Sequence, residues 1–131
     1  MFLNGENVPQ DYIESVKWYR KAAELGDAGA QYSLGVAYLA GNGVQHDYKE
    51  AVKWFRKAAD QALAKAQGKL GTLLFKGAGV STNYEESYSW LILATANGDE
   101  SVKKTMDELK KLMTPAQIEK AQKLAKSRRS N

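Results

Sequence analysis

The stretch that decides the fold runs from residue 30 to residue 59 and reads AQYSLGVAYLAGNGVQHDYKEAVKWFRKAA. Its tryptophan, Trp54, has counterparts 36 residues before and after it, at Trp18 and Trp90. Many positions agree in the same register without a gap, so the chain is a tandem array with a 36-residue period. Further identities are Tyr12, Tyr48 and Tyr84; Glu14, Glu50 and Glu86; and Ala22, Ala58 and Ala94.

Each unit is predicted to form two α-helices joined by a glycine-containing loop. The first helix covers residues 30–40, because apolar side chains recur there at helical spacing. Glycines 41 and 43 follow it, and Asp47 begins the second helix as an N-cap with Glu50 three residues on. One hairpin of this kind cannot bury its apolar face, so each copy must stack on the next. The sequence therefore predicts an all-α fold, a right-handed α/α solenoid.

The composition excludes several classes of protein. The chain has 131 residues, no cysteine and one histidine. This excludes disulfide scaffolds, thiolate metal sites and cysteine nucleophiles. No apolar run approaches the ~20 residues of a membrane-spanning helix, so we expect no membrane insertion. The net charge is +4, and all of the excess lies in residues 99–131, which hold nine basic and five acidic side chains. The balanced body of the chain is not expected to bind nucleic acid.

The 36-residue unit resembles the Sel1-like repeat, a relative of the tetratricopeptide repeat. The matching residues of the second copy are Ala30, Leu34, Gly35, Tyr38, Gly41, Gly43, Val44, Asp47, Ala51, Trp54, Phe55, Lys57, Ala58 and Ala59. The resemblance divides the chain into a truncated repeat at 1–29, repeats at 30–65 and 66–98, and a C-terminal capping segment at 99–131. Because Met1 aligns with Ala37, the first helix of copy one is expected to be missing. The resemblance implies a bacterial-type adaptor or scaffold that acts by protein–protein contact, without catalysis.

The C-terminal segment is predicted to cap the solenoid. Copy three carries two apolar residues, Ile92 and Leu93, at positions that are charged in copy two, so its outer face needs a cover. Thr114 and the Pro-Ala-Gln that follows it form a strong helix start. We expect capping helices over residues 99–126 and a frayed tail over residues 127–131.

No residue pattern supports catalysis or a cofactor. His46 stands beside Asp47, but the other copies carry Gln10 and Thr82 at its position, which indicates a variable loop site. The glycines at 41 and 43 lack the third glycine of a dinucleotide fingerprint and follow a helix instead of a strand. No spacing of Asp, Glu and His suits a metal ion. We therefore predict no catalytic, cofactor-binding or metal site, and no small-molecule substrate.

A protein-binding patch is predicted on the first helix of each unit. The tryptophans occupy one phase of every copy and are expected to pack between copies. Residues that differ between copies are better binding candidates, and they lie on the side of the first helix that faces the concave surface. The alternative is that neighbouring helices bury them. The predicted patch consists of Gln31, Tyr32, Val36, Leu39, Lys69, Thr72 and Phe75.

These patterns favour a non-catalytic module that binds a protein or peptide partner. An alternative within binding is an immunity or inhibitor protein that neutralises a bacterial toxin or effector enzyme. A hydrolase is a weaker alternative, because His46 would have to act without a nucleophile constellation. A third is nucleic-acid binding through the basic end, for which a solvated charged cap is the simpler interpretation. That end carries Lys120, Lys123, Lys126, Arg128 and Arg129.

Two further properties stay open in the sequence. End-to-end self-association is one, because Phe2, Ile13 and Val16 would form an apolar end where a first helix is missing. The compartment is the other: cytoplasmic, unless an export signal lies upstream, in which case the protein would be periplasmic or secreted.

Overall fold

The computed structural model describes residues 10–77 and 83–130, and for residues 10 and 130 it describes the backbone only. Within these ranges the chain forms helices and loops and no strand, which confirms the all-α prediction. The segment Glu100–Val102 is a single 3₁₀ turn. The α-helices are α1 (Gln10–Glu24), α2 (Ala28–Ala40), α3 (Tyr48–Asp60), α4 (Ala64–Lys76), α5 (Tyr84–Ala96), α6 (Lys103–Lys110) and α7 (Pro115–Ser130).

The helices stack in chain order, as the repeat requires. Helices α2 and α3 form one hairpin and α4 and α5 the next, while α1 is the second helix of copy one. Each helix from α1 to α5 packs on the helix that follows it. Three buried clusters therefore follow one another through the described helices, and the largest contains Phe55 of α3 and Leu70 of α4, both completely buried. The predicted solenoid is confirmed.

The helix starts follow from their caps. The carboxylate of Asp47 accepts hydrogen bonds from the backbone N–H groups of Lys49 and Glu50, at 2.9 and 3.2 Å. Helix α2 begins two residues earlier than predicted, because Asp27 is its N-cap and accepts a hydrogen bond of 2.7 Å from the N–H of Ala30. A side chain that satisfies one of the free N–H groups of a first turn fixes where the helix starts.

Each hairpin closes over a glycine of its first helix. A Cβ atom placed on Gly35 would lie 2.7 Å from Cε1 of Phe55, and one placed on Gly71 would lie 2.7 Å from Cδ2 of Leu91. Both ring and isobutyl group are completely buried. The Leu-Gly pair of the unit is therefore a packing requirement, since any other residue would push the two helices apart.

The loop after each second helix uses a left-handed backbone. Gly26 and Gly98 have φ values of 99° and 105° in copies one and three. In copy two the same position is Ala62, with φ of 66°. An L-residue with a Cβ is strained in this region. The packing of the repeat therefore holds Ala62 in a backbone conformation that alanine disfavours.

The C-terminal segment covers copy three, as predicted. Helices α6 and α7 both contact α5, and Ile92 packs against the cluster that includes Ala121 of α7. The N-terminus of α7 is a reciprocal capping box. The N–H of Gln117 donates to Oγ1 of Thr114 at 3.2 Å, and the N–H of Thr114 donates to Oε1 of Gln117 at 2.9 Å.

The prediction of a frayed tail after residue 126 is wrong. Helix α7 continues to Ser130. The reason is Arg128, whose guanidinium carbon lies 4.2 Å from the ring centroid of Trp90. The same guanidinium donates to Oγ of Ser89 at 2.8 Å and faces the Glu86 carboxylate at 3.4 Å. Stacking on an aromatic face together with a charge-assisted hydrogen bond orders the last turns of the helix.

Candidate functional site

Six of the seven residues of the predicted patch lie on α2 and α4 and form what we call the α2–α4 surface: Tyr32, Val36, Leu39, Lys69, Thr72 and Phe75. Its apolar members on α2 are half-buried, because Tyr32, Val36 and Leu39 all pack against the cluster that α3 and α4 form with residues of α5 and α7. The two expectations, exposure and burial by neighbours, each hold in part. The side chains are anchored in the core and still reach the solvent.

Tyr32 is the central side chain of this surface. Its ring packs against Phe55 at a centroid distance of 5.7 Å and an interplanar angle of 48°. Burial, and secondarily the negative charge of Asp99, raise the pKa of the Tyr32 hydroxyl. The phenol therefore stays neutral and can donate a hydrogen bond over the whole physiological pH range.

One depression lies between Tyr32 and α4 and has a volume of about 350 Å³. Gly68 forms its floor, where a Cβ would lie 2.6 Å from a carboxylate oxygen of Asp99. Lys65 and Lys69, one turn apart on α4, stand at its rim and are exposed. Across residues 10–77 and 83–130 neither lysine has an ion-pair partner.

A second depression, of about 240 Å³, lies on the other side of Tyr32, between α1 and α2. Its walls combine the rings of Tyr12, Tyr19 and Tyr32 with the aliphatic side chains of Val16 and Val36. Tyr32 thus separates a lysine-rimmed depression from one walled by tyrosines and valines.

The remaining predicted residues have internal contacts. Thr72 donates a hydrogen bond of 2.9 Å to the backbone carbonyl of Gly68. The ring of Phe75 meets that of Tyr84 edge-on at a centroid distance of 5.9 Å. These contacts hold both side chains at the surface in fixed positions.

Gln31 does not reach the α2–α4 surface, because it is buried, with 5% of its area exposed. Its Nε2 donates to the carbonyl of Ala23 at 3.2 Å, and its Oε1 accepts from Nε2 of Gln61 at 2.9 Å. Buried polar groups need such partners, so Gln31 belongs to the packing between copies.

The same hydrogen bonds recur 36 residues later and form a buried amide network. Gln67 donates to the carbonyl of Ala59 at 3.2 Å and accepts from Nδ2 of Asn97 at 2.9 Å. Sequence reasoning missed this network, although its signal was present. Gln31 and Gln67 occupy one phase of the unit and have amides, Gln61 and Asn97, at another shared phase.

Ion pairs neutralise part of the basic C-terminal end. Glu86 accepts from Arg56 at 2.8 Å and pairs with Arg128 at 3.4 Å. Burial raises the pKa of Glu86, but the hydrogen bond and charge of Arg56 and the charge of Arg128 outweigh it, and the net pKa lies below the usual value. Lys120 pairs with Glu85 at 3.4 Å.

His46 is exposed in the loop between α2 and α3, and its ring meets Tyr48 edge-on at 4.5 Å. Among residues 10–77 and 83–130 no group of three His, Asp or Glu side chains is placed to hold a metal ion. In the same ranges no helix is long and apolar enough to cross a membrane.

This geometry defines the class of the protein: an α/α solenoid whose helical hairpins repeat every 36 residues, with the α2–α4 surface on the first helices of two copies. The Sel1 repeat family model matches residues 1–27, 28–63 and 64–99. The chain therefore belongs to the Sel1 repeat family, as its sequence predicts. Proteins with this repeat generally serve as protein-interaction modules and are generally non-catalytic. No curated protein matches the chain.

Solved structures support the same assignment. The chain is similar to a protective antigen of uropathogenic Escherichia coli strains that displays an SLR fold, with 34% identity and a TM-score of 0.86 over 90% of this chain and 26% of that one. It is also similar to a Sel1 repeat protein from Oxalobacter formigenes, with 42% identity and a TM-score of 0.70 over 72% of this chain and 39% of that one. The chain thus spans between a quarter and two fifths of these bacterial relatives.

Proposed function

We propose that the chain is a non-catalytic module that binds a segment of a partner protein along the α2–α4 surface. The observation that carries this proposal is the position of Tyr32, which lines both depressions at once. A large aromatic residue with a fixed body and a polar tip is the kind of side chain that dominates binding energy at interfaces. The rigid helices on either side would save the entropy of ordering a loop on binding.

The chemistry of the two depressions suggests what such a segment carries. Lys65 and Lys69 at the rim stand without ion-pair partners in the described part of the chain, so a carboxylate of the partner would pair with two positive charges there, against the single negative charge of Asp99, which lines the same depression. The depression beside Val36 would take an apolar or aromatic side chain. We therefore propose a partner segment with an acidic residue and a large apolar residue a few positions apart.

Selection from a phage-displayed library of random short peptides tests this proposal. Peptides enriched on the immobilised chain are expected to combine acidic and large apolar residues. Their affinity for the Tyr32→Glu and Lys69→Glu variants should fall at least tenfold, because each change removes a contact worth about 1.4 kcal/mol or more. Selected peptides that bind both variants as tightly as the parent would overturn the proposal.

Matched variants distinguish a loss of affinity caused at the α2–α4 surface from one caused by any added negative charge. Tyr48 is a surface tyrosine of α3 with 42% of its area exposed, and Lys49 is an exposed lysine of the same helix. Tyr48→Glu and Lys49→Glu make the same chemical changes away from the α2–α4 surface. Both are expected to leave peptide affinity within about twofold of the parent, because neither residue lines either depression and water and salt screen exposed charges.

The other functional alternatives stay predictions. An immunity or inhibitor protein would be a special case of partner binding, and no contact in the described ranges favours it over an adaptor. Absence of catalysis is part of the proposal, and a hydrolase would have to use His46, which packs on Tyr48 in an exposed loop.

A further inference from the structure

The apolar end that the sequence predicts at the start of the array differs in detail from the structure. Val16 is buried in the contact between α1 and α2, Ile13 is half-buried, and Phe2 lies outside the described residues. End-to-end self-association therefore stays a prediction.

The lysine-rimmed depression lies within the array and contains a negative charge as well as positive ones. Lys65 and Lys69 stand at its rim, and Asp99 lines it from the residue before the 3₁₀ turn. Asp99 is half-buried, whereas both lysines are exposed. None of the three takes part in an ion pair with another described residue. The depression therefore offers opposite charges to one ligand.

The two carboxylate oxygens of Asp99 have different surroundings. Oδ1 accepts hydrogen bonds from the backbone N–H of Ser101, at 3.0 Å, and from the hydroxyl of the same residue. Oδ2 accepts no hydrogen bond from the described residues and lies over Gly68, where a Cβ would be 2.6 Å from it. A half-buried carboxylate oxygen without a partner is a favourable acceptor for a charged N–H donor.

This charge pattern is particular to one place in the array. Gly68 occupies the phase of Tyr32, and Asp99 occupies the phase of Leu63, each one period later. Tyr32 and Leu63 both pack against the same apolar cluster. One period later the ring is replaced by a hydrogen atom and the isobutyl group by a carboxylate, which opens the depression and gives it a negative charge.

The size of the depression suits two charged groups at once. Its volume of about 350 Å³ corresponds to on the order of ten water molecules at ~30 Å³ each. A carboxylate alone would pair with the two lysines and would be repelled by Asp99. A partner that also carries a positive charge would be complementary to all three groups.

We propose that the partner segment carries a basic residue two positions from its acidic residue, and that Asp99 binds the basic side chain while Lys65 and Lys69 bind the carboxylate. This inference rests on the proposed function and adds a third group to the same segment. Alternate side chains of an extended segment lie on one side, which is the reason for the spacing of two. Arginine is expected to be preferred over lysine, because a guanidinium can donate to Asp99 and also stack on the ring of Tyr32.

Titration of the isotope-labelled full chain with two tripeptides, followed by chemical shifts, tests this inference. The peptides are acetyl-Arg-Ala-Asp-amide and its uncharged analogue with citrulline in place of arginine. The arginine peptide is expected to bind the parent at least about threefold more tightly. On Asp99→Asn this preference should disappear, and the citrulline peptide should bind at least as tightly as it binds the parent, because its carboxylate is no longer repelled.

Asp27→Asn is the matched control for this substitution. Asp27 is the N-cap of α2, stands at the phase of Asp99 two periods earlier, and lines neither depression. Asparagine is as good an N-cap as aspartate, so both variants are expected to fold. Asp27→Asn should keep the preference for the arginine peptide. Equal binding of the two peptides to the parent, no binding of either through the millimolar range, or a preference that survives Asp99→Asn would each overturn the inference.

Peptide selection on the parent and on Asp99→Asn in parallel separates this inference from the proposed function. Basic residues near the acidic residue should be enriched on the parent and not on the variant. Enrichment of acidic and large apolar residues without a basic residue would overturn the inference and leave the proposed function standing. Enrichment of a basic and acidic pair on the parent, with no apolar preference, would support the inference and contradict the apolar part of the proposed segment.

Discussion

Replacement of Ala62 by glycine should stabilise the protein. Ala62 has φ of 66°, the left-handed conformation that glycines adopt at the equivalent positions 26 and 98. Strain of an L-residue in this region costs about 1–2 kcal/mol. Glycine would remove that strain, but its greater conformational freedom in the unfolded chain would lower the stability by about 0.4–1 kcal/mol. The net stabilisation is therefore expected to be about 0.5–1 kcal/mol, with a rise in Tm of roughly 2–4 °C for a chain of this size.

Urea unfolding followed by circular dichroism measures this change as a shift of the midpoint at constant slope. Ala96→Gly is the matched control, because Ala96 is exposed at the last position of α5 and its φ is not positive. The control should lose up to about 1 kcal/mol, since glycine is a poor helix former. The reasoning is refuted if Ala62→Gly destabilises the protein as the control does.

Three further predictions follow from single contacts. Gly35→Ala should cost about 1–3 kcal/mol, because its Cβ would lie 2.7 Å from the buried ring of Phe55. The pKa of Glu86 is depressed in the folded protein. Its carboxylate therefore contributes its full stabilisation of the fold above the unfolded-state pKa of about 4.3, and this stabilisation is lost as the pH falls through the folded-state pKa. Glu86→Gln should flatten the dependence of the unfolding free energy on pH in this acidic range. Arg128→Ala should cost about 1–2 kcal/mol and make Trp90 accessible to quenchers, because it removes the stacked guanidinium.

The controls for the glycine and arginine substitutions come from the same helices. Gly29 lies at the exposed start of α2, where a Cβ meets nothing closer than 3.5 Å, so Gly29→Ala should be neutral or stabilising. Arg129→Ala removes an exposed neighbour of Arg128 and should change stability by less than about 0.5 kcal/mol. Equal losses from Gly35→Ala and Gly29→Ala would contradict the packing argument. An acid limb that is the same in the parent and in Glu86→Gln would contradict the role of that carboxylate.

The repeat made most of the fold predictable. A side chain that recurs every 36 residues indicates a shared structural role, so the period together with the capping pattern assigns Asp47 and Asn83 as N-caps. The capping box at Thr114 was equally predictable, because its hydrogen bonds join residues three positions apart. Local chemistry and periodicity were sufficient in all these cases.

The features that could not be predicted from the sequence depend on contacts between residues far apart in the chain, and these contacts are not repeated from copy to copy. Arg128 orders the end of α7 through Trp90, which lies 38 positions earlier and in another helix. No spacing pattern indicates such a partner, so a basic terminal segment was predicted to fray. Gln31 is a different case: its recurrence as Gln67, with amides at Gln61 and Asn97, was a periodic signal for a buried network that the prediction of the binding surface did not use.

The most direct measurement of the central claim is chemical-shift mapping of a selected peptide on the isotope-labelled chain. The account predicts that the largest backbone amide shifts cluster on Tyr32, Val36, Lys69 and Thr72, while those of α7 remain unchanged. Shifts concentrated on α7 or on the loop that carries His46, with no shift on the α2–α4 surface, would contradict the proposed binding surface.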